Sequence, residues 1–102
     1  MQINKIISFN TGRQYSDNGQ RIAAAIHNGV VIMVDVDRGL DYVLPEATLD
    51  RESIIDAYDY SDTCRPLGAY PEIFNGDYVA MFQFVAQLRD HARAFPGCIL
   101  PK

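Results

Sequence analysis

Asp35-Val36-Asp37 ends an apolar run, and because side chains alternate along a strand it sets two carboxylates on one face about 7 Å apart. With Asp41 across the following turn, that separation suits a divalent cation or an acid/base pair. No third ligand at a diagnostic spacing accompanies the pair, and Arg38 stands next to it as a counter-charge. Solvated or salt-bridged carboxylates are therefore the simpler reading. His27 at a strand end and His91 on a helix flank have no nucleophile beside them in sequence. The seven glycines are dispersed at turns and form no phosphate-binding loop. These patterns lead us to expect no catalytic residue, no metal ligand and no cofactor.

Binding chemistry is denser in two other stretches. NTGRQYSDNGQ, residues 10 to 20, interrupts two apolar runs and supplies Arg13 and Tyr15, with Arg21 directly after it. SDTCRPLGAYPEIFN, residues 61 to 75, is punctuated by Pro66, Gly68 and Pro71 and is long for a connection in a compact domain, a length often associated with function. With the preceding Tyr60 it offers Cys64, Arg65 and Tyr70. The competing reading is a connection packed over the sheet by Leu67, Ile73 and Phe74.

Strands must carry the first of these stretches. IISF (6 to 9), RIAAAI (21 to 26), VVIMVDV (30 to 36) and LDYVL (40 to 44) are short, mostly apolar and separated by Asn18-Gly19, Asn28-Gly29 and Arg38-Gly39. Connections this short favour an antiparallel meander over parallel strands, which need long crossovers. If Asp17-Asn18-Gly19 is a three-residue hairpin loop, Tyr15 faces Arg21 and Arg13 faces Ala23, so Arg13, Tyr15 and Arg21 project from one face. A bulge at Gly12 is then required to bring Phe9 opposite Ile26. On the third strand Val30, Ile32, Val34 and Val36 share the core face, and Val31, Met33, Asp35 and Asp37 point the other way. The opposite face is expected to gather Ile6, Ala23, Ala25, Val31, Met33 and Val43, more apolar surface than a solvated sheet leaves open. Either a second copy covers it, making a homodimer with Ala23, Ala25, Val31, Met33 and Val43 in the interface, or the short helix and the 60 to 75 loop fold back over it.

Two helices follow. TLDRESIIDAYDY has Thr48 or Asp50 as N-cap and Ile54, Ile55 and Tyr58 on one side, which predicts a helix over about 49–59. In GDYVAMFQFVAQLRDHARAF, Asn75 can cap a helix over about 76–94, with Tyr78, Met81, Phe82, Phe84, Val85, Leu88, Ala92 and Phe95 in a broad apolar stripe. That stripe is expected in the core, with Gln83, Gln87 and Asp90 solvated. The fold class is α+β: a four-stranded antiparallel meander, a short helix, and a long C-terminal amphipathic helix packed on the sheet.

At 102 residues the chain is sized for one domain, 1–102, with a modest core. No apolar run reaches the roughly 20 residues a membrane helix needs, and MQINKIISFN lacks signal-peptide character, so the expected location is cytoplasmic, without membrane contact. Cys64 and Cys98 are expected as reduced thiols. The net charge of −4 is unevenly spread: +1 over residues 1 to 40, −7 over 41 to 77 and +2 over 78 to 102. An acidic middle third repels phosphate backbones, so no nucleic-acid binding is expected; it favours basic partners, or simply solubilises the domain.

The residues Phe9-Asn10-Thr11-Gly12-Arg13 through Tyr15 to Gly19-Gln20-Arg21-Ile22, with Asp35 to Arg38, give the first 44 residues a resemblance to small uncharacterised proteins carried by bacteriophages and prophages. That resemblance implies no known activity and points to a bacterial or phage accessory protein that acts by binding. The expected function is a non-enzymatic module with a protein partner. The alternatives are an acidic, nucleic-acid-mimicking inhibitor of a DNA- or RNA-binding protein, and a small metal-dependent enzyme using Asp35 and Asp37.

Overall fold

The computed structural model describes residues 3–95. Four antiparallel strands, β1 (Ile7–Asn10), β2 (Arg21–His27), β3 (Val30–Asp35) and β4 (Leu40–Leu44), lead into α1 (Arg51–Tyr60). A short fifth strand, β5 (Arg65–Pro66), and two 3-10 turns, Leu67–Ala69 and Pro71–Phe74, connect to α2 (Tyr78–Ala94). The sheet order follows the chain, β1-β2-β3-β4-β5. The expected meander and both helices are present. The fifth strand is an addition, held at the edge beside β4, where the missing amide hydrogen of Pro66 costs the ladder little.

Local chemistry accounts for the boundaries. Asn28 and Gly29 both take positive φ, 51° and 80°, as a two-residue hairpin turn of matching twist requires. That turn sets His27 opposite Val30, and hence Ala25 opposite Ile32 and Ala24 opposite Met33. Asp50 caps α1 by accepting from the Ser53 amide at 2.9 Å. Asp77, in place of the expected Asn75, caps α2 by accepting from Ala80 at 3.0 Å. Asn75 instead closes the preceding 3-10 turn in the left-handed region.

The helices cover opposite faces of the sheet, giving three layers. Beneath α2, Ala23, Ala25, Ile32, Val34 and Val43 pack against Phe84, Val85 and Leu88, and the connection adds Leu67 and Phe74. Phe74 stacks on His27 with ring centroids 4.1 Å apart and meets Phe84 edge-on. Beneath α1, Phe9, Ile22, Ala24, Val31, Met33 and Leu44 pack against Ile54 and Ala57.

This arrangement corrects the expected patch. Ala23, Ala25 and Val43 belong to the α2 layer, whereas Val31 and Met33 belong to the α1 layer. All five are buried within one chain and share no surface for a second copy to dock on. The register of β1 differs as well. Phe9 pairs with Ile22 rather than Ile26, and no bulge forms at Gly12. A ten-residue loop, 11 to 20, leaves the sheet and is closed by the Thr11 amide donating to the Gln20 carbonyl at 3.0 Å.

Candidate functional site

The 11 to 20 loop is fastened from within. Thr11 Oγ1 donates to Gln20 Oε1 at 2.6 Å, and Gln20 Nε2 donates onward to Asp35 Oδ2 at 2.7 Å. Both Gln20 and Asp35 are fully buried. The Tyr58 hydroxyl donates to the same Asp35 oxygen at 3.1 Å, and the Arg38 amide donates to the other at 3.1 Å. Burial, followed by the Asp35 charge and the hydrogen bond to it, pushes the Tyr58 phenol well above the ordinary tyrosine range. It therefore remains a donor at any physiological pH.

Asp37 is satisfied separately. β3 ends at Asp35, and the chain turns before Asp37, so the two carboxylates do not share one strand face as the sequence suggested. Asp37 receives the Arg21 guanidinium at 3.0 and 3.1 Å, the Arg21 amide at 2.6 Å and the Ser16 hydroxyl at 2.6 Å. Burial raises its pKa, but these bonds together hold it below the usual carboxylate range. Arg21 also donates to the Arg93 carbonyl near the end of α2, where a cation complements the helix dipole. Each carboxylate is thus filled by protein donors. Among the described residues no three His, Cys, Asp or Glu side chains are grouped in a way that fits a metal ion.

The surface side of the loop is different in character. Arg13 reaches across to α1 and clasps Asp59 with two bonds, 2.8 and 2.6 Å. The hydrogen bond from Arg13 lowers the Asp59 pKa against a smaller burial effect. Tyr15 is exposed and lies under the Arg38 guanidinium, whose centre is 4.6 Å from the ring centroid; that guanidinium also donates to the Tyr58 hydroxyl at 3.2 Å. Beside Arg13, a shallow open cleft of about 680 Å³ is lined by Glu52, Ser53, Ile55, Asp56, Asp59 and Tyr60. Tyr60 stands 78 % exposed at its rim.

Of the residues singled out in sequence, Arg13, Tyr15 and Tyr60 are brought to one neighbourhood. Arg21, Asp35 and Asp37 form internal supports. Arg65 lies on the outer edge strand, bonded to the carbonyls of Asp62 and Cys64. Tyr70 packs against the α2 layer. Cys64 is a free, half-buried thiol whose pKa burial raises, and Cys98 lies outside the described residues. Sequence reading missed Asp59 as the partner of Arg13 and Tyr58 as the partner of Asp35, because both pairs are separated by more than twenty residues and leave no local pattern. It also placed Phe82 and Tyr78 in the core, whereas both are more than half exposed. The unusual width of the apolar stripe was the available signal.

No protein-family model, curated protein or solved structure matches this chain. Among the described residues no helix is long and apolar enough to cross a membrane.

Proposed function

We propose that the chain is a non-enzymatic protein-binding accessory module of bacterial or phage origin, the origin resting on the N-terminal resemblance, and that its docking face is the cleft between the 11 to 20 loop and α1. The observation that carries this reading is the convergence of Arg13, Ile55 and exposed Tyr60 with the carboxylates of Glu52 and Asp56 around one open surface. Tyrosine and arginine are the side chains over-represented among binding hot spots, and the surrounding negative field selects a basic segment of the partner. Asp35 and Asp37, by contrast, are occupied in holding the loop in place.

The test is affinity capture from the native host with the wild type beside Tyr60→Ala and Asp56→Lys. A partner retained by the wild type and reduced about tenfold by either substitution supports the cleft as the docking face. A partner held equally by all three forms rejects it.

A second reading is favoured by the row Glu52, Asp56 and Asp59, which lies along one side of α1 at helical spacing. Such a row suits an acidic decoy for a nucleic-acid-binding protein. Capture that fades steeply as salt rises would support the decoy, whereas a hot-spot interface around Tyr60 survives moderate salt.

A further inference from the structure

β2 reaches further than the strand beside it. The ladder to β1 begins with Ile7 opposite Ala24, so Ile26 has no strand partner on that side. Two hydrogen bonds fix which way the Ile26 backbone faces. The Val36 amide donates to the Arg21 carbonyl at 3.2 Å, so Arg21, Ala23, Ala25 and His27 turn their backbone groups to β3. The Thr11 amide donates to the Gln20 carbonyl at 3.0 Å, so Ile22, Ala24 and Ile26 turn theirs to the β1 side. Among the described residues neither the N–H nor the C=O of Ile26 is bonded there.

A cavity of about 380 Å³ opens at this point. Its walls are largely apolar: Ile3 and Phe84 from the α2 layer, Leu49 from the α1 layer, and the Ile26 side chain, 52 % exposed. His27 is held in the wall by stacking on Phe74 and by meeting Phe84 edge-on, with centroids 5.3 Å apart. Lys5 adds a cation, no carboxylate lines the cavity, and among the described residues Lys5 joins no ion pair.

We infer that this cavity binds a small acyl-amino acid, a molecule with a hydrocarbon chain, an amide N–H and a terminal carboxylate. It completes the missing rung of the sheet: the amide N–H donates to the Ile26 carbonyl, and one carboxylate oxygen accepts from the Ile26 N–H, as a facing strand residue would. The other oxygen meets the Lys5 ammonium, and the chain lies on the apolar walls. The ligand is short because one rung is vacant: Ala24 is already paired with Ile7, and beyond His27 the chain turns at Asn28. A volume near the lower end of the range of ligand pockets, about 300–1,000 Å³, agrees with that size. The site shares no residue with the proposed docking cleft and is a separate activity of the chain.

Titration of the full chain with N-octanoylglycine, followed by calorimetry and amide NMR, tests the inference. Binding should saturate below about 1 mM, with the Ile26 amide among the largest shifts. The methyl ester removes the charge, and N-octanoylsarcosine removes the N–H; each should bind about tenfold more weakly. Lys5→Glu and Ile26→Glu should each weaken binding at least about tenfold with an unchanged circular-dichroism melt; if one fails to fold, the other decides. No saturation up to about 10 mM overturns the inference. So does N-octanoylglycine binding that is indifferent to both Lys5→Glu and Ile26→Glu. Equal affinity for N-octanoylsarcosine rejects the pairing with Ile26.

Discussion

Tyr58 and Asp35 meet across 3.1 Å between α1 and the central strand, so a polar bond ties the short helix to the sheet inside an otherwise apolar layer. Gln20 donates to the same carboxylate oxygen from the loop, and one buried group thereby joins loop, strand and helix. Tyr58→Phe keeps the ring and removes the hydroxyl, leaving Asp35 one donor short. The expected loss is about 1–3 kcal/mol in urea unfolding at neutral pH. The phenol also adds an alkaline dependence. A folded pKa raised above the unfolded value stabilises fully below the ordinary tyrosine pKa of 10.0, and that contribution is lost as pH climbs from there towards the folded value. Tyr58→Phe should therefore have the flatter stability profile above pH 10. Parallel alkaline limbs would reject the assignment.

Asp37 governs the acid side. Its side chain is 2 % exposed and the Arg21 partner 15 %, so solvent screens the pair weakly. Its folded pKa is lowered, so its contribution is complete above the ordinary carboxylate range and is lost as pH falls through that range to the lower folded value. Asp37→Asn leaves the Arg21 guanidinium without its counter-charge and should cost about 3 kcal/mol at neutral pH, with a flatter acid limb. Asp59→Asn also removes an Arg13 pair, but that pair is at the surface and should cost less than about 1 kcal/mol. Equal losses from the two substitutions would show that burial does not rank these pairs.

The backbone of the loop supplies the third expectation. Gly19 is buried with φ at 87°, and its amide donates to the Ser16 carbonyl at 3.0 Å. A β-branched side chain is strained in that region whatever the space around it, so Gly19→Val should destabilise by about 1 kcal/mol or more. Gln14→Ala, exposed in the same loop, should stay within roughly 0.5 kcal/mol. Thermal melts in the opposite order would contradict the described loop.

What could be read from sequence was what short-range pattern encodes. The Asn28-Gly29 turn, the Asp50 cap and the helical period of residues 78 to 94 each act over a few positions; the turn and the helix are where they were expected, and the cap is one of the two candidates, Thr48 and Asp50. Register across residues 11 to 20 was not legible, because its closure depends on Gln20 bonding to Asp35, fifteen residues on. Nor was the convergence of Arg13 with Tyr60, since the clasp to Asp59 spans 46 positions. IAAAI, residues 22 to 26, is a continuous apolar run rather than an alternating one, and such runs mark strands buried on both faces. Such a run favours a covering helix on the second face over a second copy, and α1 is that helix.

Met33 decides between those two coverings. Its side chain is fully buried beneath α1, within the layer formed by Phe9, Ile22, Ala24, Leu44 and Ile54. Met33→Lys would place an ammonium there with no carboxylate of that layer positioned to receive it except Asp35, already filled by three donors. An unpaired buried charge costs several kcal/mol, a large part of the stability of a domain this size, so the variant should lose its cooperative melt at room temperature. Phe82→Lys makes the same chemical change on the exposed side of α2 and should melt within about 1 kcal/mol of the wild type. Circular-dichroism melts of the two variants side by side give the answer. A folded, cooperative Met33→Lys of single-chain mass would mean that α1 does not seal this face.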